Sequence, residues 1–416
     1  MMKWYDKLQY GAMLLMAAAV PQGWHYGLWA ATLLGGVTII KMVAQHKVGN
    51  PALDKTLRWA MLGAVVYWLV LAVSLLWTRD LATGGTVLYL KAVLLIFPLC
   101  FLLSDTSYLT PCRLRGVGFA LLVGVVGAFL YFLIRAGIAM HHGVSFMSFN
   151  SIFYNRENDI VYHHAYIALY AVIAMVFVYH LLSGHWKELK WWLRGLLVVS
   201  LLMLISYTVM VNSRAGVLAM GLAAFACVIH LAFSHRSWLL SIGIALLVTG
   251  GIVAATKLMP GYVDRIFSTV ENVEDDARTS INRANFHAVM QSPVIGYGVG
   301  DYHAVQVAKY GDEGFDYGVT AGFNAHNQYM ESLLSAGIPG LLALLNFLLV
   351  PIFVALKRRS RYGFLSAVMI GVVMFNLLFE SMFERQMGLQ FIGYLYTIMV
   401  LIMSVEENKF AQSKKS

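Results

Sequence analysis

The sequence predicts an all-α polytopic membrane protein of about twelve transmembrane helices, with one large, partly helical external loop toward its carboxyl end. Three observations carry this. The chain has 416 residues, of which 59% are hydrophobic and only 12% charged. Its apolar residues come in runs of about 20, the length that crosses roughly 30 Å of hydrocarbon. The runs are unbroken rather than alternating over about 10 residues, which selects helices over a membrane barrel.

Taken in order, blocks and breaks place spans near 8–22, 24–44, 57–77, 86–103, 116–137, 162–182, 192–211, 216–233, 238–258, 338–356, 362–380 and 387–404. The beginning has the form of a secretory signal: Lys3 and Lys7, an apolar run, then Ala17, Ala18 and Ala19. With eleven further spans behind it, an uncleaved first helix is expected. A net charge of +9 points to nucleic acid in a soluble chain, but here it is a topology signal. An even number of spans puts both ends on one side. Placing them in the cytoplasm puts nineteen of the 30 Lys and Arg there, ten on or near the opposite side, and Lys91 within a span.

The chain then divides into 1–258 with nine membrane helices, an external loop 259–337 that holds the chemistry, and 338–416 with three helices and a cytoplasmic tail. The polar tail after Glu406 reads as disordered. Cys100, Cys112 and Cys227 are an odd number lying within or beside spans. They are read as packing residues, not a disulfide framework or a zinc motif. Tryptophans such as Trp24, Trp59 and Trp192 sit near span ends as interface anchors.

Candidate chemistry gathers on the external side. Arg214 lies in Val211-Asn-Ser-Arg-Ala-Gly216, a polar break between two spans. It is either a snorkelling helix-end arginine or a phosphate grip, since a guanidinium holds phosphate through two parallel hydrogen bonds. In the large loop Glu271, Glu274, Asp275 and Asp276 precede a helix expected over Ala277 to Gln291. Ala277, Ile281, Ala284 and Ala288 give it one apolar face, beside a polar stripe of Arg278, Asn282 and Asn285. Arg278 is a candidate to share a cavity with Arg214, whereas Arg283 points elsewhere and reads as solvated. Pro293 stops the helix, and Pro293-Val-Ile-Gly-Tyr-Gly-Val-Gly300 reads as a sharp turn rather than a dinucleotide loop, because no strand precedes it.

His326 stands between Asn324 and Asn327 before a short helix to about Ala336, after which Gly337-Ile-Pro-Gly340 breaks the chain. Either asparagine is placed to cap the helix or orient the ring. Imidazole accepts and releases protons near neutral pH, so His326 is the candidate base for an attacking hydroxyl; the structural alternative is a histidine that caps or packs. The other external loop, with His141, His142, Asn155, Arg156, Glu157, Asn158, Asp159, His163 and His164, lacks the spacing of a metal site and reads as lining for a polar acceptor. Arg135 and Arg156 add positive charge there. Glu380, Glu384 and Arg385 in the last external turn read as a salt-bridged cap.

The order of Asn212-Ser-Arg214-Ala-Gly216, Arg278, the 293–300 turn, Asn324-Ala-His326-Asn-Gln-Tyr-Met-Glu331 and Gly337-Ile-Pro-Gly340 over twelve spans resembles the O-antigen ligase/polymerase superfamily. Within it, the lipopolysaccharide O-antigen ligases are the nearest likeness. The resemblance implies a GT-C-like glycosyltransferase in the inner membrane of a Gram-negative bacterium, working on the periplasmic face. Its donor is expected to be an undecaprenyl-diphosphate-linked glycan and its acceptor a lipid A-core sugar. It implies His326 as base and Arg214 and Arg278 as diphosphate contacts. Position alone adds Arg265 as a further contact, with Asn324, Asn327 and Arg156 in support. Where the family usually has Trp, four residues after the second arginine, this chain has Asn282.

Neither cofactor nor metal is expected, and no nucleic-acid partner; membrane lipids are expected neighbours. The alternatives are an O-antigen polymerase or a protein O-oligosaccharyltransferase using the same donor. From another class comes a lipid-linked-glycan or anion transporter, whose polar residues would lie near the bilayer midplane on broken helices.

Overall fold

The computed structural model describes residues 2–143, 163–211, 213–234, 273–358 and 362–413. Its helices, in chain order, are α1 (Trp4–Ala19), α2 (Trp24–Gln45), α3 (Lys55–Val73), α4 (Leu81–Leu90), α5 (Val93–Leu103), α6 (Pro111–His141), α7 (His164–Gly184), α8 (Trp191–Met210), α9 (Arg214–Ser234), α10 (Val273–Gln291), α11 (Tyr302–Asp312), α12 (Asp316–Ala321), α13 (Gln328–Lys357), α14 (Gly363–Asn376) and α15 (Gln386–Ser413). No strand occurs among the described residues. The protein is an all-α, multi-pass membrane protein.

Eight of these helices are long and apolar enough to cross a membrane, nine if α4 and α5, bent by 47° at Lys91, form one broken span. The sequence-based twelve differ from this for identifiable reasons. α1 gives way at Ala19 to a 3-10 turn over Val20–Gln22, where Pro21 supplies no backbone N–H. α14 has only 14 residues. The expected span 238–258 lies outside the described residues, as do most of the 138–161 loop and the first part of the 259–337 loop.

The chain forms two compact units. One comprises Met1–Ala120, Asn272–Ile370 and Leu377–Ser416; the other comprises Leu121–Glu271 and Gly371–Asn376. In the first, α15 is fully enclosed over residues 387–405. Apolar residues on all its sides leave no polar face for water, and its internal polar groups are satisfied locally, Thr397 Oγ1 donating to Gly393 O at 2.8 Å. α3 and α13 form the other axis of this unit. Gly63 lets them close up, since a Cβ there would lie 3.2 Å from the Phe347 Cα. Tyr67 stacks near Phe347 and its hydroxyl pairs with Ser332 Oγ at 2.9 Å. Asp54 caps α3 by accepting from Leu57 N at 2.9 Å.

In the second unit α7 is the central helix, with 83% of its apolar window buried. α9 approaches it through small residues: a Cβ on Gly216 would sit 2.3 Å from the Ala168 Cβ. Without a hydrophobic drive between helices in lipid, such close backbone contact supplies the dispersion energy that holds them.

Candidate active site

The site is built where the start of α13 meets the segment between α14 and α15. Asn327 is the N-cap of α13, its Oδ1 accepting from Tyr329 N at 3.0 Å and Met330 N at 3.1 Å. Two residues earlier Asn324 Oδ1 accepts from His326 N at 3.0 Å, closing a short turn. Between these asparagines His326 has φ 45, the left-handed region that a side-chain-bearing residue enters at a cost of roughly 1–2 kcal/mol. The surroundings enforce it. Asn327 N donates to Ser381 Oγ, Gln328 N to Leu377 O, and Phe383 N to Gln328 Oε1 at 2.7 Å, tying 327–328 to 377–383.

That clasp brings Glu380 onto the histidine. Glu380 Oε2 lies 3.3 Å from His326 Nδ1; the carboxylate side chain is 5% exposed and the imidazole 25%. A carboxylate only accepts, so the pair assigns the proton to Nδ1 and leaves the Nε2 lone pair for a ligand. The Phe323 ring, 6.0 Å away, covers another side of the imidazole and belongs to a cluster with Ile281, Tyr310 and Phe315.

Behind the histidine lies a buried charged layer. Lys91 Nζ, at the break between α4 and α5, pairs with Glu331 Oε1 at 2.8 Å and donates to Phe383 O at 3.0 Å. The break is where a charge can be held between two helix halves and still reach partners on α13. Glu384 accepts from the Tyr302 hydroxyl at 3.0 Å and also hydrogen-bonds the Asn324 side chain. Burial, reinforced by the nearby Glu331 charge, pushes the Glu384 carboxyl up to about 7, while Lys91 and the two hydrogen bonds oppose the rise. Burial also raises the Tyr302 hydroxyl well above its ordinary value.

The 293–300 turn is a structural fastening for this layer. α13 is interrupted at Ala336 (φ −138, ψ 17) and Gly337 (φ 63, ψ −152). The backbone groups freed there are taken by the turn: Tyr297 N donates to Leu334 O, Gly298 N to Ser335 O, and Ile338 N to Pro293 O. Gly296 and Gly337 must be glycine, because a Cβ would come within 2.6 Å of Leu334 O and 2.2 Å of Val294 O respectively. At its far end Val299 N donates to Ser74 Oγ, and Asp301 accepts from the backbone N–H of Arg79 and Asp80.

The remaining sequence-derived candidates are placed as follows. Arg278 is exposed on α10, one turn before the buried Ile281 that packs into the Phe323 cluster. Arg283 pairs with Glu313 at 3.0 Å, and His287 shares that carboxylate at 2.5 Å. Asn285, expected on the polar stripe, is instead fully buried with Tyr310 and Ile281 as neighbours on the packed face. Arg214 opens α9 in the second unit, preceded by Ser213, whose Oγ accepts from Gly216 N at 3.1 Å. Arg265 and Arg156 lie outside the described residues. Glu380 and Glu384 do not form the salt-bridged cap expected of them: one faces His326 and the other Tyr302, while Arg385 is exposed. Among the described residues no three His, Cys, Asp or Glu side chains are grouped to hold a metal.

Residues 198–345 match the family described as O-antigen ligase. That segment, about a third of the chain, is similar to the O-antigen ligase family. A second likeness is to the exopolysaccharide production protein ExoQ of Rhizobium meliloti (strain 1021), 31% identical over 121 residues. It covers 28% of this chain and 27% of that protein, so the chain spans about a quarter of the relative's length. Together the two support the O-antigen ligase/polymerase superfamily.

The matched segment contains Arg214, Arg278, Asn324, His326, Asn327 and Glu331, together with Tyr302 and the glycine turn. It leaves out Lys91, Glu380 and Glu384. The three residues that sequence reasoning set aside are thus those outside the family segment, brought to it by α4, α5 and the 377–384 strap. One signal was available. Lys91 and Glu380 each interrupt an apolar run, where an ionisable group is expensive unless it has a partner.

Proposed function

We propose that the protein is a glycosyl-transfer enzyme of cell-surface polysaccharide assembly, working from a lipid-diphosphate donor on the periplasmic face of the inner membrane, both termini being cytoplasmic. The observation that carries this reading is the His326–Glu380 pair. It is a partly exposed imidazole locked in one tautomer by a buried carboxylate, an arrangement suited to taking a proton from a hydroxyl.

In the proposed reaction an acceptor sugar hydroxyl gives its proton to His326 Nε2 as its oxygen bonds to the anomeric carbon of the donor glycan. The bond from that carbon to the diphosphate oxygen breaks, and its electron pair leaves with undecaprenyl diphosphate. Attack opposite the leaving group inverts the anomeric centre. Arg214 and Arg278, with Arg265 as a further contact, offset the charge growing on the diphosphate, work that needs no metal when guanidinium groups are preorganised. Asn324 and Asn327 support the histidine through the backbone and Arg156 adds charge toward the acceptor.

The acceptor proposed is the lipid A-core. A second reading, polymerisation onto another lipid-linked unit, is favoured by the likeness to an exopolysaccharide production protein. The test is reconstitution of the purified enzyme with undecaprenyl-diphosphate glycan and each acceptor separately, with a metal chelator present. Product on lipid A-core alone supports ligation. Extension of the lipid-linked unit alone supports polymerisation, and no product on either acceptor overturns both.

A further inference from the structure

α10 has a bare apolar stripe. Its inner face, Ala277, Ile281, Ala284 and Ala288, is buried, and Ala288 and Val289 pack with Tyr302 and Leu334. On the outer face Phe286 and Met290, one turn apart, are 51% and 60% exposed, and Val294 and Ile295 in the turn that follows are 63% and 49% exposed. The adjacent row is charged: Arg283 and His287 share Glu313. The stripe does not stop at the end of α10. Ile338, hydrogen-bonded through its N–H to Pro293 O, is 46% exposed, and Leu342 one turn on is 59% exposed. From Ile338 onward α13 has the length and apolarity of a membrane span, so its exposed apolar side chains meet lipid.

We infer that α10 lies on the membrane surface, with Phe286, Met290, Val294 and Ile295 inserted among lipid acyl chains at the head-group boundary. The bilayer is the partner of this face because the stripe continues the lipid-facing surface of α13 onto a helix too polar to span. Phe286 and Met290 lie about 6 Å apart along α10 at 1.5 Å per residue and stand on its side rather than at its end, the geometry of an interfacial helix whose apolar face is buried about 5–10 Å deep. The helix therefore lies near the membrane plane, with the Arg283, His287 and Glu313 row toward head groups and water. Since the inner face of α10 carries the Phe323 cluster that touches His326, this contact fixes the height of the histidine above the lipid. The inference is independent of the reaction proposed above.

The test uses the full chain in phosphatidylethanolamine/phosphatidylglycerol vesicles. In a Cys112→Ser background, Cys100 and Cys227 being buried, a nitroxide is attached at Met290→Cys and its collision rates with oxygen and with a water-soluble nickel complex are measured. References are Leu342→Cys for lipid and Asp312→Cys for water, the Asp312 side chain being 64% exposed. The label at 290 should match that at 342, with several-fold less nickel collision than at 312. A label at 290 as open to nickel as that at 312 overturns the inference. So does protection from both reagents with spin–spin broadening that disappears on dilution with unlabelled protein, which would make a second copy the occupant. Val294→Cys repeats the measurement should the label at 290 disturb folding.

Discussion

Replacing Glu380 by glutamine tests the site at its least expected member. The substitution keeps volume and the capacity to meet His326 Nδ1, but an amide can offer an N–H there, and then Nδ1 becomes the acceptor and Nε2 carries the proton. Hydrogen bonds to charged groups contribute about 1.5–3 kcal/mol, and at about 1.4 kcal/mol per tenfold this is roughly a 10- to 100-fold fall in kcat. The Nδ1 to Oε2 distance of 3.3 Å is long for a charge-assisted bond, so the lower half of that range is expected. His326→Ala, which removes the base itself, should lose about 10²–10⁴-fold. The assay is initial-rate glycan transfer by purified protein of unchanged melting temperature, with donor KM followed separately. Because Glu380 acts through His326, the double variant should be no slower than His326→Ala alone, and donor KM should stay flat in Glu380→Gln. Full kcat in Glu380→Gln, or multiplicative losses in the double variant, would refute the pairing as part of the chemistry.

Other outcomes follow from the buried layer. The Glu384 carboxyl, held up at about 7, binds its proton more tightly in the folded protein than in the unfolded chain. Its stabilising contribution is therefore full below about 4.5, the ordinary carboxyl value, and is lost as pH rises through about 7, a swing of about 3 kcal/mol. Glu384→Gln should thus gain melting temperature relative to the parent between pH 5.5 and 8; a gap that is flat or of opposite sign would sink that assignment. Lys91→Met or Glu331→Gln alone leaves a buried partner uncompensated and should cost about 3–5 kcal/mol, whereas Lys91→Met with Glu331→Leu should recover much of it, read as thermal stability of the purified protein. Gly337→Ala combines positive φ with contact to Val294 O and should abolish folded protein, while Gly35→Ala on α2, with open space around it, should leave yield unchanged.

Much of this was legible because it is local. The asparagine that caps α13, the break at Gly337 and the apolar face of α10 each follow from spacings of four residues or fewer, the range over which helix geometry is set. The reading of 293–300 as a turn was local too, but its purpose was not, since Ser74 and Thr78, which hold its end, lie more than 200 residues earlier. Glu380 reads from sequence as part of a salt-bridged cap because its partner is 54 residues away and nothing in the periodicity of α14 or α15 points to it. Asn285 was misassigned for the opposite reason. Periodicity placed it beside Arg278 and Asn282, but α11 and the Phe323 cluster widen the covered face of α10 until it includes that position.

The charges in this layer have a common logic. Three carboxyl groups, Glu331, Glu380 and Glu384, lie near the histidine, and unscreened they would repel the anionic diphosphate that the proposed reaction requires. Each is handled differently. Glu331 is matched by Lys91 at 2.8 Å. Glu384 is driven by burial and by Glu331 toward its neutral form, with Tyr302 and Asn324 holding it in place. Glu380 is turned to the exposed edge, where it lies 3.3 Å from His326 Nδ1 and holds the imidazole in place. The negative charge is therefore kept beside the histidine and reduced elsewhere in the layer. If that is the reason for the arrangement, replacing Glu331 by Gln should lower the Glu384 carboxyl and return a charge to the interior. The charge removed at 331 is then replaced at 384 beside Lys91, so donor KM should stay flat in that variant where it folds, whereas adding Glu384→Gln leaves the Lys91 charge unmatched and should lower donor KM.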